Sequence, residues 1–323
     1  MFIQEYLFDP EAQAGLTVYL HEEKAEYERV GDRPFVMVIP GGGYSFCSER
    51  EAEPIALNFA AQGFHSGVLR YHVGTHRSFS HSLEDAEQAI AKIQELTSEW
   101  GIDSEKIAVI GFSAGGHLAA ALSTLSPMKP SLCMLGYPAI VSSFAAVMKI
   151  DAPSLEKCVT KDTPPTFLFS TFEDNVVPIE NSLAYLQALE EHEVPFESHI
   201  FQKGRHGLSL ATERFGNRKE MVDPRFARWF DECVEWLELN WADKVAQPAL
   251  FPDLGQWPIR ALLESGENKR LLLQAFPSWA DKSRLKIVKN ISLQQLLTIM
   301  PEAFENVSYQ KLVSQLIDPR KEE

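Results

Sequence analysis

Ser113 stands in Gly111-Phe112-Ser113-Ala114-Gly115, a G-x-S-x-G pentapeptide. That pattern suits a nucleophilic serine when a buried strand runs into it and a helix leaves it. Ile107–Phe112 (IAVIGF) reads as such a strand, and Ala114–Leu125 reads as an alanine-rich helix. The chain then has to reverse sharply at Ser113, and glycines at 111 and 115 leave room for the turn. The hydroxyl projects from the strand end, while the helix start supplies N–H groups and the positive end of a dipole. The Ala114 N–H is therefore a candidate oxyanion donor. A dinucleotide-binding G-x-G-x-x-G turn does not fit, because the central position is Ser113 rather than glycine. A plain strand–turn–helix with a serine cap is the alternative.

A serine hydroxyl needs a base and an oriented acid before it attacks a carbonyl. His206, in Gly204-Arg205-His206-Gly207, follows the last predicted strand, where the chain order Ser, Asp or Glu, His puts the base. The acid should follow the preceding strand, Thr166–Thr171, and Asp174 in Phe172-Glu173-Asp174-Asn175 is chosen over its neighbour Glu173. Pro40-Gly41-Gly42-Gly43-Tyr44 follows the predicted strand Phe35–Ile39. Its glycines let backbone N–H groups approach a ligand, so Gly42 or Gly43 is expected to supply a second oxyanion donor, worth about 3–4 kcal/mol. Tyr44 and His117 are candidates for lining the site; for His117 a packed, hydrogen-bonded role is favoured over lining. His199 falls inside a strand and reads as structural. His72, His76 and His81 share a polar loop with no interleaved carboxylate, a weak pattern for a metal site.

The elements that must position these groups alternate between strand and helix. Strands are predicted at Phe35–Ile39, His65–Tyr71, Ile107–Phe112, Leu132–Tyr137, Thr166–Thr171 and Phe196–Phe201. Helices are predicted at Glu51–Gln62, at Ser82–Trp100 with Ser82 as N-cap, and at Ala114–Leu125, Ile179–Glu191 and Pro224–Trp241. Such alternation implies a mostly parallel sheet flanked by helices, with the site at the carboxyl ends of the strands. After residue 245 the texture changes. Ala246–Pro258 has three prolines and reads as a linker, followed by helical patterns at Ile259–Leu263, Lys269–Phe276, Leu293–Met300 and Tyr309–Ile317. The organisation expected is a catalytic domain over 1–245 and a small helical appendage over 246–323.

The chain has 323 residues, 45% hydrophobic and 23% charged, with a formal net charge of -15. That balance favours solubility and disfavours non-specific binding to nucleic acid or anionic lipid. There is no long apolar run for a bilayer and no pattern of a signal peptide. Four scattered cysteines, without C-x-x-C, suit reduced thiols. A cytoplasmic location is expected, with no nucleic-acid or membrane partner. The helical appendage carries no cluster of reactive side chains and reads as a packing or homo-oligomerisation module.

PGGGYS, GFSAGGHLAA, TFEDNVVPIENS and KGRHGLSL occur in that order. Together they resemble the esterase- and lipase-like α/β-hydrolases of the acetyl-xylan and carbohydrate esterase kind, and related carboxylesterases. The resemblance covers roughly Thr17 to Trp241. It implies the α/β-hydrolase fold and a triad of Ser113, Asp174 and His206. It also implies an oxyanion hole from the Gly41–Gly43 loop with Ala114, no metal and no organic cofactor, and a sugar hydroxyl as the alcohol of a small-molecule ester substrate. The loops show no sign of a long apolar lid, so a short acyl group such as acetyl is expected. The chain departs from the family in having a short segment between Tyr137-Pro138 and Pro164-Pro165, where relatives carry a longer cap insertion, and in its extra tail. Two rivals stand beside the esterase: a serine peptidase of the same fold, and a non-catalytic binding protein of that fold, which would usually have lost a triad member.

Overall fold

The computed structural model describes residues 1–22, 31–216, 218–242 and 253–319. Two compact units result, Met1–Ala242 and Asp243–Glu323. The first is built on an eight-stranded sheet in the order β1-β2-β4-β3-β5-β6-β7-β8. Its elements in chain order are β1 (Phe2–Asp9), β2 (Ala14–Leu20), β3 (Arg33–Ile39), α1 (Glu53–Ala61), β4 (His65–Arg70), α2 (Phe79–Glu95), α3 (Thr97–Trp100), β5 (Ile102–Phe112), α4 (Ala114–Leu125), β6 (Leu132–Gly136), α5 (Ser142–Val147), β7 (Thr166–Thr171), α6 (Glu180–Glu191), β8 (Phe196–Phe201) and α7 (Trp229–Trp241). β2 pairs antiparallel with both β1 and β4, and the other pairs are parallel.

Strand alternation sorts the apolar side chains into two cores, one on each face of the sheet. Met37, Ile39 and Val109 join one core with Ile90 of α2, Leu118 of α4 and Leu189 of α6. Val36, Val38, Ile110 and Phe112 join the other with Phe59 of α1 and Trp229 of α7. Trp229 stacks on Phe169 with ring centroids 4.2 Å apart.

Register aligns the carboxyl ends of the central strands. Ile39 lies opposite Gly111, Phe112 opposite Gly136, and Gly136 opposite Phe169. The loops after β3, β5, β6 and β7 therefore leave the sheet at one level. Helix α4 is drawn close to the end of β3 because Gly115 lacks a side chain: a Cβ there would lie 2.1 Å from the Ile39 carbonyl oxygen and 2.5 Å from that of Pro40.

Several boundaries differ from the sequence expectation. The reading assigned nothing before Phe35, yet two strands lie there. The long helix begins at Phe79 rather than Ser82. Ser78 caps it, accepting from the His81 N–H, while Ser82 is buried in its first turn and donates to the Ser78 and His72 carbonyls. The helix also ends at Glu95, with α3 a separate short piece.

In the second unit, residues 246–252 of the predicted linker lie outside the described residues. The rest forms a 3-10 turn at Leu254–Gln256, then α8 (Ile259–Leu262), α9 (Gly266–Ala275), α10 (Lys282–Val288), α11 (Leu293–Ile299) and α12 (Tyr309–Gln315). The last four of these short helices carry side-chain caps at Ser265, Asp281, Ser292 and Ser308, and the unit packs around Leu262, Leu272, Phe276, Leu293, Leu296 and Phe304. The sequence reading missed α10. Among the described residues no helix is long and apolar enough to cross a membrane.

Gly115→Ala is expected to lower stability by about 3 kcal/mol in urea unfolding, because backbone atoms of β3 block the added methyl. An unchanged midpoint would mean that α4 moves away from β3 freely.

Candidate active site

Ser113 sits between β5 and α4 with φ 53° and ψ −115°. A non-glycine residue in such a conformation is strained by about 1–3 kcal/mol and persists only where its surroundings over-determine it. Here they do. The Ser113 N–H donates to the Gly136 carbonyl at 2.9 Å, and the Ser113 carbonyl accepts from His117 and Ala139 at 3.0 and 3.1 Å. With the main chain fully engaged, only the side chain is free to act, and Ser113 is 9% exposed.

His206 follows β8 in a loop and faces Ser113: its Nε2 is 2.8 Å from the Ser113 hydroxyl oxygen. Its Nδ1 is 2.8 Å from Asp174 Oδ2. Asp174 follows β7, with its side chain only 1% exposed against 15% for His206. Its second oxygen accepts from the Val176 and Val177 N–H groups at 2.8 and 2.9 Å, fixing the carboxyl plane. An acceptor at Nδ1 places the imidazole proton there and leaves Nε2 as the acceptor for the serine proton. Asn175 Oδ1 accepts the His206 main-chain N–H at 3.2 Å. Glu173, the alternative acid, is exposed and takes no part in this chain of contacts.

Ser113 and His206 open into a cavity of about 420 Å³, whose wall includes Gly42, Gly43, Arg50 and Glu51. That is the size of a small-molecule site. Phe46, Phe144, Val147, Met148 and Val176 form an apolar side of it. Gly42 has φ +128°, and a Cβ there would come within 1.9 Å of the Phe46 carbonyl oxygen, so the tight turn after β3 requires glycine. Ala114, the other predicted donor, begins α4 directly beside Ser113.

Tyr44 is corrected as a lining residue, and His117 takes the packed, hydrogen-bonded role favoured for it over lining. Tyr44 and His117 are both fully buried, and neither reaches the cavity. They pair with each other instead, at 2.9 Å between the Tyr44 hydroxyl and His117 Nδ1. One turn into α4, a side chain facing the sheet enters the core rather than the cavity. Burial pushes the His117 pKa down to about 3. His72 likewise joins a structural contact: its ring nitrogens meet Asp85 at 2.6 Å and Asp9 at 3.2 Å. His199 pairs with Glu197 at 2.8 Å on β8.

The sequence reading missed Glu51 and Tyr137. Glu51 is 3% exposed. Its Oε2 accepts from the Gly41 N–H at 3.0 Å and its Oε1 from the Tyr137 hydroxyl at 2.6 Å. The Tyr137 ring lies edge-on to His206, centroids 5.0 Å apart. Glu51 lies in the charged run Ser48–Glu53, which gives no local sign of burial.

The chain is similar to several known proteins. A family model described as BD-FAE matches residues 18–132, and that of the Prolyl oligopeptidase family matches residues 144–235. The chain is 33% identical to "Endo-1,4-beta-xylanase B" of Butyrivibrio fibrisolvens over 66% of its length and 38% of that protein's. It is 27% identical to "Acetylxylan esterase" of Xylanibacter ruminicola over 55% of its length and 41% of that protein's. It thus spans about two fifths of the length of these curated relatives. The crystal structure of MGS-M1, an alpha/beta hydrolase enzyme from a Medee basin deep-sea metagenome library, is 38% identical with a TM-score of 0.70, covering 74% of this chain and 98% of that one.

Burial of neutral histidine makes stability sensitive to acid. Below the ordinary histidine pKa of 6.5 the unfolded chain takes up protons that folded His117 and His65 refuse; burial lowers His65 to about 4. The stability they contribute is full above pH 6.5 and is lost as pH falls towards 4, by up to about 1.4 kcal/mol per unit for each group. At His72 burial alone lowers the pKa, but contacts with Asp85 and Asp9 outweigh it and raise the value, which opposes the trend. Urea midpoints measured from pH 7 to 5 should fall, and His117→Gln should flatten the slope. An unchanged slope in that variant would show that His117 is protonated in the folded state.

Proposed function

This chain belongs to the esterase-like α/β-hydrolases, and we propose that it is a serine esterase working through an acyl-enzyme. One observation carries the reading: an unbroken relay of two 2.8 Å contacts from buried Asp174 through His206 to the strained Ser113 at a cavity wall. Relays of this geometry generate a serine nucleophile.

In the proposed reaction the Ser113 oxygen bonds to the ester carbonyl carbon while its proton passes to His206 Nε2. Asp174 holds the ring and stabilises the imidazolium. The carbonyl oxygen, now an oxyanion, takes hydrogen bonds from the N–H groups of Ala114 and of Gly42 or Gly43. His206 returns the proton to the leaving alcohol as the carbon–oxygen bond breaks. Water then loses a proton to His206, attacks the acyl-Ser113 carbonyl, and the acid is released with the proton restored to Ser113.

For the substrate we propose esters of a short acyl group, with acetylated sugars as the leading class. The name of the Xylanibacter ruminicola relative supports this, as does the xylanase name of the Butyrivibrio fibrisolvens relative. The Prolyl oligopeptidase family match over residues 144–235 favours a second reading, a peptidase. The same triad would serve it. The acidic side chain of the cavity wall, Glu51, has both carboxylate oxygens engaged within the protein, which disfavours capture of a substrate amine there.

Hydrolysis of p-nitrophenyl acetate, butyrate and octanoate, acetate release from acetylated xylo-oligosaccharides, and cleavage of peptide p-nitroanilides separate these readings. Activity is expected on the acetyl esters and to fall with chain length. Ser113→Ala should lower kcat about 10⁶-fold and Asp174→Asn about 10⁴-fold, and Glu173→Ala should change it less than about twofold. Peptide cleavage without ester cleavage would select the peptidase.

A further inference from the structure

Glu51 touches both halves of the site from beneath. Through Oε2 it takes the Gly41 N–H, at the root of the glycine loop after β3. Through Oε1 it takes the Tyr137 hydroxyl. The Tyr137 oxygen in turn accepts the Ser209 N–H at 3.0 Å, three residues beyond His206, and its ring braces the imidazole. Arg50, the neighbour of Glu51, donates through Nη1 to the Gly207 carbonyl at 2.7 Å. The fit is close: a Cβ on Gly41 would lie 2.7 Å from Glu51 Oε2 and 3.0 Å from Ser113 Cβ.

Burying a carboxylate is unfavourable unless its oxygens are hydrogen-bonded, and an apolar side chain would fill this space without that penalty. Here the carboxylate supplies two acceptors on one rigid group, and no amide can do the same, since an amide offers a single acceptor oxygen. The Gly41 N–H is turned into Glu51, and the next two residues of the loop, Gly42 and Gly43, line the cavity with Ser113.

We propose that Glu51 is a positioning residue that sets the oxyanion loop and the His206 loop in one register about Ser113, so that hole and base are aligned together. The inference rests on the serine-esterase reading and deepens it. Misplacement of catalytic groups by about 1 Å can lower a rate 10²-fold, and removing one oxyanion donor lowers it by about 10²–10³.

The test uses full-length Glu51→Gln, Tyr137→Phe and the double variant. It reads kcat and KM on p-nitrophenyl acetate, the Ki of phenylboronic acid, whose tetrahedral adduct on the nucleophile fills the oxyanion hole, and the thermal midpoint. Each single variant is expected to lower kcat about 10- to 100-fold with KM within about twofold. The boronate Ki should rise in step, and the double variant should be no worse than the poorer single one, as for residues acting as one unit. A folded Glu51→Gln with wild-type kcat overturns the proposal. So does a kcat loss with unchanged boronate affinity, or with fully additive effects. If Glu51→Gln does not fold, Tyr137→Phe decides by the same readouts. A wild type that hydrolyses no ester removes the serine-esterase reading, and this inference with it; an active wild type with unaffected variants removes this inference alone.

Discussion

The site hangs on a turn that an L-amino acid resists. Ser113 holds φ at +53° because the chain must pass from β5 into α4 without spreading the sheet. Gly111 and Gly115 make that possible. A Cβ on Gly111 would sit 2.2 Å from the Gly115 carbonyl oxygen, and one on Gly115 would strike the end of β3. The same closeness brings the glycine loop after β3 against the serine. The strain at Ser113 and the proximity of Gly41 to Ser113 are two consequences of one packing constraint.

Around that turn the structure distributes two buried carboxylates with different tasks. Asp174 spends one oxygen on His206 and the other on two main-chain N–H groups. Glu51 spends its oxygens on Gly41 and Tyr137. Neither carboxylate is left to seek partners in the cavity, so the hydrogen-bonding groups facing a substrate are fixed before it arrives. Preorganisation of this kind is the larger part of what a protein contributes to acyl transfer.

Much of this was legible in the residues, because the relevant signals are local. A buried strand that ends in Gly-Phe-Ser-Ala-Gly, or in Pro-Gly-Gly-Gly, announces a loop at the sheet's carboxyl edge, and chain order narrows the acid to the adjacent pair Glu173 and Asp174. The losses share a cause: they depend on contacts distant in sequence. β1 is an outer strand whose exposed positions include the apolar Phe2, Ile3 and Leu7, and β2 is buried along nearly its whole length, so in neither do apolar residues mark a single buried face. Their connecting turn uses Gln13 at φ 55° where a glycine would have signalled it. Ser82 fits a cap by spacing, yet it is Ser78, four positions earlier, whose side chain meets the His81 N–H. Glu51 reads as a solvated helix start, and only β6 and the His206 loop, far along the chain, turn it into a buried hinge between two loops. Tyr44 is offered as a lining residue by its place in the glycine loop, yet its ring turns into the core against Tyr71 and His117.

The account turns on Ser113 as the atom that becomes acylated. Rapid-quench mass spectrometry of the protein mixed with excess p-nitrophenyl acetate addresses this directly. An acetyl adduct on the peptide containing Ser113, formed within the first turnover and depleted in His206→Ala, is the predicted result. An acetyl group on another residue, or turnover with no covalent intermediate under conditions where its formation outruns hydrolysis, would contradict it.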